Sequence, residues 1–101
     1  MLSHTENLLN TFDETAHLFA NSIYTEFIFS IKDVDRLKNE NTFQLWTRKY
    51  TGKLKQLLEG QAMEYISTNR DLATIDWFHK KLVNMIRLHL QEFSYRAQYV
   101  S

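Results

Sequence analysis

A chain of 101 residues with no proline and only two glycines contains almost nothing that stops a helix. Proline removes a backbone donor and clashes with the preceding turn, and glycine costs a helix interior about 1 kcal/mol relative to alanine. Apolar side chains recur here every three or four positions nearly from end to end. That is the period of one face of a helix, not the alternation of a half-buried strand. The chain therefore reads as all-α. Its length is that of a single domain, residues 1–101, with no linker, repeat or low-complexity stretch to divide it. Fourteen aromatic side chains (seven Phe, five Tyr, two Trp) supply bulky core material.

Three segments carry the helical period. The first, about 4–37, opens on Ser3-His4-Thr5-Glu6, a capping-box pattern in which Ser3 and Glu6 satisfy each other's backbone donors. From there Leu9, Phe12, Ala16, Phe19, Ile23, Phe27, Ile31 and Val34 advance along one stripe. The second, about 42–67, starts after a polar cluster in which Asn41 or Thr42 can cap, and carries Phe43, Trp46, Tyr50, Leu54, Leu57 or Leu58, Ala62 and Tyr65 or Ile66. The third, about 72–98, has Asp71 or Thr74 as its cap and Ile75, Phe78, Leu82, Met85, Ile86, His89 and Phe93 as its main stripe. Short connections make this an antiparallel bundle of three long helices. Gly52 and Gly60 lie inside the second segment; a break at either would make the bundle four-helical.

The apolar surface exceeds what one small bundle needs. Phe27 and Phe29 point roughly 200° apart on a helix, so both sides of the first helix carry apolar groups. On the third, Trp77, Leu88, Tyr95 and Tyr99 form a second stripe roughly 110° from the main one. A fourth helix could cover the surplus. The preferred reading is a protein-contact surface made of these four residues with Tyr24, Ile28 and Phe29, most simply a homodimer interface, because large apolar patches are seldom left bare.

Other functions find little support. With no cysteine there is no disulfide, thiolate nucleophile or Cys-based metal site. The amino terminus lacks the basic start of a secretory signal, and the longest uncharged stretch of the first segment, Thr15 to Thr25, is about half a membrane span, so a cytoplasmic protein is expected. The formal net charge is zero, but residues 1–40 hold seven acids against three bases and residues 41–101 nine bases against five acids. Such a split can steer association, or place opposite charges face to face inside one bundle. Arg48, Lys49, Lys53 and Lys55 flank Tyr50 and could line a nucleic-acid surface, although such domains usually show a net positive excess. Glu14 with His17, and Asp76 with His79, have the i, i+3 spacing of carboxylate–histidine pairs in metal-binding bundles. His89, within the main stripe, reads as a core histidine bonded to a neighbour. No nucleophile–base signature, phosphate loop or cofactor motif is present. The chain reads as a non-catalytic interaction module without cofactor, acting as a small regulator, chaperone or inhibitor of a protein partner.

Overall fold

A computed structural model describes residues 4–69 and 75–99. They form three helices, α1 (His4–Ile31), α2 (Glu40–Thr68) and α3 (Asp76–Gln98), with no strand among the described residues. Each helix packs against the other two. Contacts run in opposite order along α1 and α2: Phe12 meets Tyr65 near one end, while Phe27 meets Tyr50 and Phe43 near the other. Along α1 and α3 they run in the same order, Asp13 to His89 and Asn21 to Arg96. The body is long and thin, 52 × 23 × 17 Å.

The buried stripes follow the apolar phase. Leu9, Phe12, Ala16, Ala20, Ile23, Phe27 and Ile31 from α1 meet Phe43, Tyr50, Leu54, Leu58 and Ala62 from α2 and Phe78, Leu82, Phe93 and Ala97 from α3. The core divides into two clusters, a larger one centred on Phe27 and a smaller one around Phe12 and Phe78. Thr47 is buried within the α2 stripe and donates its hydroxyl to the Phe43 carbonyl one turn back, which satisfies it internally.

Three helix boundaries differ from those the sequence suggests: the end of α1, the start of α2, and the start of α3, which lies at Asp76 after an extended Ile75 in the cap position and not at about 72. α1 stops at Ile31, not 37. Asp33 and Asp35 sit where the helix C-terminus disfavours negative charge, and an Asp35 side-chain oxygen accepts the Leu37 backbone N–H at 3.1 Å, so the chain turns instead of continuing. Val34, now outside the helix, still packs on the core. α2 starts at Glu40 with Asn39 in the cap position, ahead of Asn41 and Thr42. Arg36 in the turn donates to Glu40, to the Gln98 carbonyl and to the Gln98 side-chain oxygen, while its guanidinium lies 4.3 Å over the Phe43 ring. It thus ties the first connection to the last turn of α3. Hydrogen bonds from Gln44 and Arg36 hold the Glu40 carboxyl below its usual range. Ser3, Asp71 and Thr74, the remaining cap candidates, lie outside the described residues.

The four-helix alternative is not what forms, because α2 runs unbroken through Gly52 and Gly60. Neither glycine has positive φ, and a Cβ added at either would meet nothing within 4 Å. Both face away from the neighbouring helices, so the buried stripe passes them undisturbed. It follows that Gly52→Ala and Gly60→Ala each stabilise the protein by about 0.5–1 kcal/mol. Thermal melts should show Tm rising by several degrees in the double variant; a fall would mean that these positions do not take helical backbone.

Candidate functional site

The second stripe of α3 stays on the outside of the bundle. Trp77 is 50% exposed, Leu88 51%, Tyr95 66% and Tyr99 73%. The Tyr95 and Tyr99 rings lie 4.6 Å apart, and Trp77 rests edge-on against Phe78. Counted at 100° per residue, the four fall within about 40° of one another on the outer surface of α3, and Tyr95 also edges the open groove between α3 and α2. Phe29, 71% exposed, belongs to the outer surface of α1, and Leu18, which periodicity alone did not single out, shares that surface within about 20°. Tyr24 and Ile28 are placed differently: both are half-buried against the main core, and Tyr24 packs on Phe93 with the Arg96 guanidinium 3.9 Å from its ring. Tyr24, three residues before Phe27, shares its inward side, whereas Ile28 lies midway by angle between Phe27 and Phe29, at the edge of the core.

α2 and α3 diverge into an open groove of about 780 Å³. Val83, Ile86 and Leu90 form its apolar floor, with Lys55, Glu59 and Arg87 at its rims. The bases of the central stretch are all exposed or at the surface, yet two are engaged by carboxylates. Lys53 reaches Glu26 of α1 at 3.0 Å, and Lys55 lies 3.9 Å from Glu59. Lys49 sits over the Trp46 ring, 4.8 Å from its centroid, and Arg48 is exposed. This arrangement spreads the positive charge around α2 and does not gather it into one patch.

A third constellation lies in the seam between α1 and α3. Asp13 and His17, one turn apart on α1, meet the buried His89 of α3. His89 Nε2 is 2.8 Å from Asp13 Oδ1, and His17 Nε2 is 3.6 Å from Asp13 Oδ2. The imidazole rings are nearly perpendicular, with centroids 4.7 Å apart. One carboxylate thus hydrogen-bonds His89 through one oxygen and has His17 close to the other. These three are the one group of histidine and carboxylate side chains among the described residues close enough to share an ion. The combination Glu14, His17, Asp76 and His79 does not assemble. His79 precedes His89 by ten residues, about 15 Å along the helix, Asp76 is an exposed partner of Lys80, and Glu14 is outside the group.

His89 was legible as a bonded core histidine, and its partner was not. Asp13 and His17 are an i, i+4 pair readable in the sequence, but nothing local indicates that a residue 76 positions from Asp13 completes the set. Among the described residues no helix is long and apolar enough to cross a membrane. Comparison of the chain with family models, with characterised proteins and with solved structures finds no match.

Proposed function

We propose that the protein is a non-catalytic, cytoplasmic contact module, an antiparallel three-helix bundle that self-associates through α3 and thereby serves as a small regulator, chaperone or inhibitor. What carries this reading is the Trp77, Leu88, Tyr95 and Tyr99 stripe, left outside although the core beneath it is closed. The occupant is a second copy, and the argument is the symmetry of the stripe. Trp77, Leu88 and Tyr99 are spaced 11 residues apart, a step that returns a helix to nearly the same angle, within about 20°. Leu88 is the midpoint.

An isologous two-fold contact demands a patch complementary to itself. With two α3 helices laid antiparallel about Leu88, Trp77 faces Tyr99 of the second copy, and Leu88 faces its own equivalent on the axis. Lys81 falls opposite Tyr95, where a cation meets an aromatic face, and Glu92 opposite Asn84. No like charges oppose each other along the stripe. Aromatic anchors in such a contact typically account for about 2 kcal/mol each when cut to alanine, roughly a 30-fold change in affinity.

Equilibrium sedimentation of the full chain tests this. Twice the 12.1 kDa chain mass is expected. Leu88→Glu, which places two carboxylates on the axis, should give monomer with unchanged helical content. Trp77→Ala combined with Tyr95→Ala should weaken the dimer as well. A wild-type chain that stays monomeric, or a dimer indifferent to these changes, would sink the reading.

A further inference from the structure

We infer that Asp13, His17 and His89 form a binding site for a divalent transition-metal ion of the zinc type, with two imidazoles and one carboxylate as ligands. The donor set comes first. Imidazole nitrogen with a carboxylate oxygen is the combination that zinc and its neighbours prefer over magnesium or calcium, which favour all-oxygen cages.

The geometry is close to that of a bound state. In a tetrahedral zinc site with bonds of about 2.0–2.1 Å, ligand atoms stand about 3.3 Å from one another. Here His89 Nε2 lies 2.8 Å from Asp13 Oδ1 and His17 Nε2 3.6 Å from Asp13 Oδ2, and with one carboxylate oxygen as ligand the three ligand atoms lie within 4.8 Å of one another. Small side-chain rotations, with no movement of α1 against α3, bring them onto one ion. Both histidines present Nε2 to the common carboxylate, so an ion entering between them takes the place of the proton in the His89–Asp13 hydrogen bond, and each ring then carries its proton on Nδ1.

The surroundings fit an ion with an open coordination position. Beside the histidines is a small depression of about 30 Å³, edged by Asn21, Glu92 and Arg96. That is room for one water, the usual fourth ligand where a protein supplies three. His17, more than half exposed, is the entry side, and the buried His89 is the anchored ligand. Because α1 supplies two ligands and α3 the third, the ion cross-links helices that are joined at this cluster by the His89–Asp13 hydrogen bond. Binding therefore stabilises the fold, as for any ligand that prefers the native state. This inference does not rest on self-association, since all three ligands belong to one chain.

The test is Zn2+ alone, titrated calorimetrically into the chelator-treated full chain. Saturation at one ion per chain is expected, together with a Tm increase of roughly 10 °C when free Zn2+ is about a hundredfold above Kd. Co2+ in place of Zn2+ should give the strong visible absorption of a tetrahedral site. Because His17 is exposed, His17→Ala keeps the fold and should weaken Zn2+ binding at least tenfold and cut the Tm increase at the same free Zn2+ to about half or less; Asp13→Asn should act in the same direction. The double variant His4→Ala with His79→Ala should bind as the wild type does. Absence of saturable binding would overturn the inference. So would binding that survives His17→Ala, or binding lost in the His4/His79 variant, which would place the ion elsewhere.

Discussion

Phe27→Ala is expected to lower the stability of the protein by about 3–5 kcal/mol, the range for deleting a fully buried aromatic ring. Phe27 is inaccessible to solvent, and four rings from all three helices surround it: Tyr24 at 6.3 Å, Phe43 at 5.9 Å, Tyr50 at 6.1 Å and Phe93 at 6.2 Å between centroids. Most of these meet edge to face, an arrangement worth more than the buried area alone. The neighbours cannot collapse inward together, because they are anchored on all three helices, so much of the cavity persists. Native stability is generally about 5–15 kcal/mol, so this one change brings the chain close to unfolding. The control is two residues away. Phe29→Ala removes an exposed ring and should leave stability within about 0.5 kcal/mol of the wild type. Urea titrations followed by circular dichroism read both, and equal effects at 27 and 29 would contradict the packing described.

Asp13→Ala is expected to cost about 1–3 kcal/mol in the absence of metal, because it leaves the buried His89 nitrogen without its partner. Asp13→Asn keeps an oxygen acceptor in the same place and should lose markedly less. Distance alone does not decide such effects. Asp76 and Lys80 are 3.0 Å apart, nearly as close as Asp13 and His89, yet both side chains are about four-fifths exposed. Water already solvates that pair, and its rupture in Asp76→Ala should change stability little. The order Asp13→Ala, then Asp13→Asn, then Asp76→Ala in chemical denaturation checks this. An Asp76→Ala loss as large as that of Asp13→Ala would show that burial does not set the effect.

The helices and their inner faces could be read from the sequence because burial imposes a period that survives in the residue order. Phe12, Ile23, Phe27, Leu54, Phe78 and Phe93 all lie where that period puts them. The glycines also behaved as the unbroken phase requires, being outward-facing and harmless. The end of α1 was harder, because Val34 continues the apolar stripe while Asp33 and Asp35 oppose the helix, and the choice between them is made by a side-chain hydrogen bond to Leu37. At the proposed contact surface, Trp77, Leu88, Tyr95 and Tyr99 stand out as a second angle on α3, whereas Tyr24 and Ile28 look equally available until Phe93 and Arg96 are seen to cover Tyr24. The Asp13, His17 and His89 cluster depends on which levels of α1 and α3 come side by side. That register is set by packing along two whole helices, and no short motif encodes it.

The shared direction of α1 and α3 also determines how this body connects to anything else. With α2 returning between them, residues 4 and 99 emerge at opposite ends of a rod 52 Å long. Two cargoes joined to those positions are therefore held apart by a rigid strut, whereas an even number of antiparallel helices would bring them together. In the proposed two-fold dimer, two such rods laid antiparallel present one outlet of each kind at either end.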